Sequence, residues 1–230
     1  MDPIRTRKVE EQPATCDAAS MLEGFSALLE QIGTNASPVV YRPQPGSLEQ
    51  IEDVAGLKFF LDMYVARHLP GELKSIVKAH GHASAGEARE LLALDKKLGT
   101  QPEMLAFAAA SRRVGQSQLR KLRPLRDHRV LQRYVAAFDA GAAKAWHTIV
   151  YGIMLAVYSF PLRQGLLRYT EATLAGLVTA VEKKGRLPED ECEKLLNNIY
   201  AQMPKCVESA LTNTHAQIGL SSPHKLRISN

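Results

Sequence analysis

The chain has 230 residues, of which 45% are hydrophobic and 23% charged, the usual balance of a globular protein with a sizeable core. Its three cysteines show no CxxC spacing, which argues against a disulfide framework and against a cysteine-based zinc site. Residues 1–17 lack the apolar core of a signal peptide, and the longest apolar run, 149–160, is shorter than the roughly twenty residues of a membrane span. We therefore expect a soluble, cytoplasmic protein.

Positive charge is concentrated in one segment of the chain. The formal net charge is +5, whereas residues 112–133 hold eight basic side chains and one acidic side chain, so the rest of the chain is net negative. Such a segment can bind nucleic acid or an acidic protein surface, or it can be an ordinary solvated helix face. The charge pattern alone leaves these three interpretations open.

Helix start and stop signals follow one another along the chain. Ser47, Ser84 and Thr100 each precede a Gln or Glu by three residues, which is the form of a capping box, and Asp127 is the predicted cap of a further helix. Pro204 is expected to kink the last helix. A proline-rich loop is predicted at 34–46. Together the start and stop signals predict helices with these approximate bounds: 17–33, 47–69, 70–80, 84–99, 100–123, 127–141, 142–159, 161–185 and 188–214.

No segment of strand periodicity, internal repeat or domain boundary emerges from the pattern. The prediction is therefore a single all-α domain, residues 1–230, with about eight to ten helices. Residues 1–16 and 216–230 are expected to be flexible tails, because neither carries a sustained apolar period.

Candidate metal ligands and catalytic groups are few. His80 and His82 could share a metal ion in an extended segment, but they flank a glycine near a predicted helix end without a cysteine or acidic cluster. Surface histidines are the favoured interpretation. His147 lies in an apolar run and is read as a core residue. The chain lacks the phosphate-loop, GxSxG, GxGxxG and HExxH motifs, so we predict no enzymatic activity and no cofactor.

The segment AFAAASRRVGQSQLR places small residues at helical spacing. Ala108, Ser111 and Gly115 fall on one helix face, and a glycine inside a helix costs about 1 kcal/mol relative to alanine. The pattern predicts a close crossing by a second helix, with Arg112 and Arg113 pointing away from it. Whether that helix belongs to the same chain or to a dimer mate stays open. Later glycines permit similar crossings: Gly152, Gly165 and Gly176.

Several of these segments occur in a recognisable order between Glu87 and Val181. They read ARELLALDKKL, AASRRVGQSQLRKL (Ala110, Ser111, Gly115, Leu119), VLQRYVAAF (Tyr134), WHTIVYGIMLA (His147, Gly152) and GLLRYTEATLAGLV (Leu167, Tyr169). In this order and spacing the chain resembles the urease accessory protein F family. The C-terminus fits more loosely, through His215 and an LRISN ending (Leu226, Arg227, Ser229).

The chain departs from the family pattern in two places. The N-terminal segment keeps a matching set of residues but lacks the family's Pro-x-Gly: Asp17, Gly24, Phe25, Ser26 and Glu30. KKGRLPEDE stands where the family often has a Pro-Leu-Gly-Gln turn. The chain would be a divergent member.

The resemblance implies a non-catalytic, all-α and usually dimeric scaffold. Family members join a D/H-type accessory protein and the GTPase accessory protein G, and they support nickel insertion into apo-urease. On this basis the candidate partner-binding residues are Arg112, Arg113, Gly115, Arg120, His215, Arg227 and Ser229. The alternative is a helical nucleic-acid-binding protein that uses residues 112–133, although Tyr134 is the one aromatic residue beside that segment.

Overall fold

The computed structural model describes residues 51–105, 107–182 and 187–219. Regular structure in these ranges is helical, without a strand, which confirms the all-α prediction. The helices in chain order are α1 Val54–Arg67, α2 Leu69–Ser84, α3 Ala88–Leu98, α4 Pro102–Leu105, α5 Ala108–Leu122, α6 Arg129–Asp139, α7 His147–Val157, α8 Leu162–Glu182, α9 Glu189–Tyr200 and α10 Met203–Gly219. The predicted helix 17–33 and the tail 1–16 lie outside the described residues.

Helix α7 is the central element of the core. Every residue from His147 to Leu155 is buried, as expected for a helix that is apolar all round. Helix α2 crosses it so closely at Gly152 that an added Cβ would lie 2.7 Å from the backbone oxygen of Ile76. On another side, the Tyr151 hydroxyl donates a hydrogen bond to the Gly165 carbonyl of α8 at 2.9 Å. An added Cβ at Gly165 would lie 2.6 Å from the Leu155 side chain of α7, so both glycines permit close approaches within the chain.

A buried carboxylate joins three helices around this core. Glu72 of α2 accepts hydrogen bonds from the hydroxyls of Tyr64 in α1, at 2.6 Å, and Tyr169 in α8, at 3.0 Å. Glu72 is only 3% exposed, and a buried carboxylate of this kind requires such partners. The two tyrosines therefore hold α1 and α8 at fixed positions relative to α2.

Two of the predicted capping boxes do not form, and the third, Ser47 with Gln50, lies outside the described residues. Helix α1 begins seven residues after Ser47, and its cap is Asp53, whose carboxylate accepts the Gly56 N–H at 2.7 Å. Ser84 ends α2 rather than starting α3, and the Thr100 hydroxyl donates to the Lys97 carbonyl. The capping pattern describes only local competition for backbone donors, so packing of the apolar faces overrides it here.

Other helix boundaries also differ from the prediction. Asp127 does not cap α6, which begins after His128 without a side-chain cap. The predicted helix 100–123 is divided into α4 and α5, and the predicted helix 188–214 is divided into α9 and α10. Pro204 follows Met203, so it lies in the first turn of α10, where its missing N–H is tolerated.

The start of the apolar helix was predicted five residues too early. Residues 142–146 form a connection, in which Ala145 has φ 55°, and α7 begins only at His147. A left-handed alanine interrupts helical hydrogen bonding at that point, and no glycine marks the position in the sequence. The Lys144 N–H is instead bound by Asp95 of α3, at 2.7 Å.

Candidate functional site

The small-residue face of α5 packs against its own chain. An added Cβ at Gly115 would lie 2.0 Å from the Ala145 carbonyl oxygen and 2.8 Å from the His147 nitrogen. Ser111 Oγ, which is also buried, accepts the His147 N–H at 3.1 Å. The element that crosses this face is therefore the start of α7, so Gly115 serves internal packing and presents no surface to a partner.

Arg112 does not point away from this crossing, contrary to the prediction. Its guanidinium carbon lies 4.5 Å from the centroid of the Trp146 ring, and the tryptophan is fully buried. A stacked cation of this kind contributes about 0.5–2 kcal/mol. Arg112 therefore covers the start of α7, whereas its neighbour Arg113 is exposed as predicted.

Most other basic side chains of residues 112–133 face solvent. Arg113, Arg120, Lys121, Arg126, Arg129 and Arg133 are exposed, and none of them forms an ion pair with an acidic residue in the described part of the chain. Arg123 is also exposed, but it does form an ion pair, because its guanidinium binds the Asp139 carboxylate at the end of α6. These cations are available to a partner that carries negative charge.

Tyr134 does not offer a stacking surface for a nucleic-acid base. The ring is fully buried, and the hydroxyl donates to Asp95 Oδ2 at 2.6 Å. Burial, followed by the negative charge of Asp95, raises the pKa of Tyr134 well above its ordinary value. Without that ring, the segment keeps positive charge but loses its aromatic platform, which weakens the nucleic-acid interpretation.

His80 and His82 do not face a common site. Both lie inside α2, where residues two apart point to different sides of the helix. The His82 ring nitrogen Nδ1 lies 2.7 Å from Glu87 Oε2, and burial lowers the pKa of His80. Among the residues that the structure describes, no three potential ligands group around a common metal position.

His147 is a core residue, as the sequence suggested. Its ring packs on Tyr169 and Tyr151, with centroid distances of 5.2 and 5.9 Å. Burial lowers its pKa to about 3, so the imidazole is neutral in the folded chain at physiological pH. Its neutral ring fills space between α7 and α8.

This burial predicts a pH-dependent stability. The unfolded chain takes up a proton at His147 below its ordinary pKa of 6.5, while the folded chain does so only near 3. The contribution is therefore complete above pH 6.5 and is lost as pH falls, by at most about 1.4 kcal/mol per pH unit. We expect unfolding free energies from denaturant titrations at pH 7.5, 5.5 and 4.5 to fall less steeply for His147→Phe than for wild type. Parallel pH profiles would show that His147 is not responsible.

Of the three C-terminal candidates, only the backbone of His215 falls within the described residues. His215 lies within α10, which shows that the predicted tail 216–230 begins with helical residues up to Gly219. Arg227 and Ser229 lie outside the described residues.

In the described part, none of the helices combines the length and the hydropathy that a membrane span requires.

A comparison with known protein families gives a match over most of the described residues. The model of the UreF family matches residues 51–200, which is more than half of the 230 residues. The matched range begins just before α1 and ends with the last residue of α9, so it includes the α5–α7 contact and leaves out α10. No individual curated protein matches the chain in a sequence comparison.

Proposed function

Because the chain belongs to the urease accessory protein F family, we propose that it is a urease-maturation scaffold, acting as one all-α domain and as a cytoplasmic homodimer. In this role it joins a D/H-type accessory protein and recruits the GTPase accessory protein G, so that nickel is inserted into apo-urease. The family match over residues 51–200 is the observation that carries the proposal. The chain is an accessory protein in this scheme, not a catalyst.

The structural roles of the buried polar groups support the proposal of a scaffold. Glu72 accepts hydrogen bonds from two tyrosine hydroxyls of other helices, Asp95 accepts one from Tyr134, and His147 is a neutral packing residue. These groups fix the positions of the helices, whereas catalytic side chains would have to face a cleft that a substrate can enter. The exposed basic side chains of α5, including Arg113 and Arg120, are proposed to contact partners.

The C-terminal residues are proposed to contact the D/H-type protein. His215, Arg227 and Ser229 match the family's ending, and a polar segment that orders on binding can contribute decisively in sum. We expect deletion of residues 220–230, which follow the last residue of α10, to abolish co-purification with that protein. Helix content by circular dichroism should be nearly unchanged.

Two controls make this experiment decisive. Arg227→Ala combined with Ser229→Ala should weaken the complex without removing any of the chain, while Lys205→Ala on the exposed side of α10 should leave it intact. Retention of the partner by the truncated protein contradicts the role of the tail. Failure of the full chain to co-purify with either accessory protein contradicts the scaffold itself.

A further inference from the structure

The turn between α5 and α6 encloses a surface groove that the proposed function does not use. The groove has a volume of about 460 Å³ and is lined by Arg123, Arg126, Gln132, Val135, Ala136 and Asp139. We call it the arginine groove. Its position is separate from the buried contact between α5 and α7, because its residues belong to the turn and to α6.

The sequence builds the groove from one stripe of α6. Gln132, Val135, Ala136 and Asp139 are spaced three and four apart, so they lie on the same helix face. The stripe spans about 10 Å at 1.5 Å per residue, which is the length of a short peptide segment. Ala136 lies midway along the length of this stripe, and its small, exposed side chain leaves that part of the face open.

Hydrogen bonds fix the opposite wall. The Gln132 side-chain amide donates to the Leu125 carbonyl at 2.9 Å and lies 3.4 Å from the Arg123 carbonyl, so the turn is tied to α6. The Arg123 guanidinium binds Asp139 at the far end of the stripe. The groove is therefore preorganised, which reduces the ordering that binding would require.

Unpaired positive charge borders the groove beside the uncharged Ala136. Arg126 lines the groove and makes no ion pair within the described residues, whereas Arg123 is already occupied by Asp139. Arg129 and Arg133 are exposed on α6, and their spacing from Ala136 places them along one rim. An occupant must therefore offer carboxylates or phosphates at its edges and an uncharged group at its centre.

We propose that the arginine groove binds a short acidic peptide segment of a partner protein. Carboxylates of the segment bind the free guanidinium groups of Arg126 and Arg133, which suit bidentate carboxylate recognition. A small apolar side chain of the segment packs over Ala136. The inference goes beyond the proposed function, since it concerns a surface to which that function assigns no partner, and it stands or fails separately.

A peptide fits the groove better than nucleic acid does. A peptide can place uncharged residues opposite Asp139 and Ala136, whereas a phosphodiester backbone carries a negative charge at every nucleotide. The nearby Tyr134 ring is buried, so bases have no stacking surface there.

Fluorescence anisotropy at low salt tests the proposal with the full chain. The probe is a labelled peptide with the sequence Glu-Glu-Leu-Glu repeated three times, and its control replaces each Glu by Gln. We expect binding of the acidic peptide alone, weakened about tenfold by Arg126→Glu or Arg133→Glu. Lys205→Glu makes the same charge reversal on α10, which packs on α2, α8 and α9, and should leave affinity nearly unchanged.

A second variant separates groove binding from diffuse attraction. Ala136→Tyr keeps the net charge but fills the centre of the groove, so the proposal predicts weaker binding of the acidic peptide with an unchanged helix signal. Equal affinity for Ala136→Tyr and wild type overturns the groove as the site. Tighter binding of a 20-base-pair duplex DNA than of the peptide, or no peptide binding at all, overturns the proposal as well.

Discussion

Gly115→Ala lowers the melting temperature of the chain, although alanine is the better helix former. Propensity alone favours alanine by about 1 kcal/mol inside a helix. The added Cβ, however, would lie 2.0 Å from the Ala145 carbonyl oxygen, a backbone atom that no side-chain rotation can move. We expect a net loss of about 2–3 kcal/mol, or a decrease of roughly 5–10 °C in the melting temperature.

Gly81→Ala provides the matched control for this substitution. Gly81 also lies inside a helix, α2, but an added Cβ there meets no atom within 4 Å. Propensity should then act alone and raise the unfolding free energy by about 0.5–1 kcal/mol. Opposite signs for the two variants at every protein concentration would establish internal packing. A concentration-dependent loss for Gly115→Ala would instead indicate a contact between copies.

The sequence was sufficient to find the crossing face but not the element that crosses it. Ser111 and Gly115 share a face by spacing alone, and this prediction is confirmed. Their partner, however, is the backbone around Ala145, which adopts φ 55° without a glycine to mark the turn. The sequence also does not predict the stacking of Arg112 on Trp146, because the two residues lie far apart in the chain and meet only through this turn.

The helices themselves were easier to predict than their ends. Apolar periodicity reflects burial of a whole face, which decides whether a segment such as α3 or α6 becomes helical. Capping patterns are worth about 1 kcal/mol each, and tertiary contacts readily exceed that. Asp53 caps α1 where Ser47 was expected, because the apolar face that packs on α2 begins near it.

The surface of the α5–α6 region shows where sequence reasoning could have gone further. The i, i+3, i+4 and i+7 stripe from Gln132 to Asp139 can be read directly from the chain. Its significance depends on the turn, which Gln132 ties to α6, and on Arg123, which folds over to bind Asp139. Charge counting identified the basic segment, but only these contacts distinguish free guanidinium groups from occupied ones.

Asp95 is the clearest case of a residue whose role could not be predicted locally. In ARELLALDKKL it precedes two lysines and reads as part of a charged, exposed face. In the structure it is 1% exposed, and its two oxygens accept the Tyr134 hydroxyl and the Lys144 N–H, at 2.6 and 2.7 Å. These donors lie 39 and 49 residues away along the chain, so no local pattern reveals them.

Asp95→Ala should therefore be the more damaging of two aspartate substitutions. It leaves the buried Tyr134 hydroxyl without its acceptor, which costs about 1–3 kcal/mol, and the part-buried Lys144 N–H loses its bond as well. It also releases the connection that keeps Ala145 in its left-handed conformation beside Gly115, so the start of α7 loses support. We expect a loss of about 3–4 kcal/mol, measured as the unfolding free energy in urea.

Asp62→Ala is the matched control, because Asp62 pairs with Lys58 on the surface, where both side chains are more than half exposed. Such a pair contributes about 0–1 kcal/mol, so this variant should remain close to wild type. Tyr134→Phe removes one of the two donors to Asp95, so its loss of stability should lie between those of the two aspartate variants. Because the two residues interact, Tyr134→Phe should cost less in the Asp95→Ala background than in wild type. If Asp95→Ala costs no more than Asp62→Ala, the buried carboxylate does not hold α3, α6 and the start of α7 together.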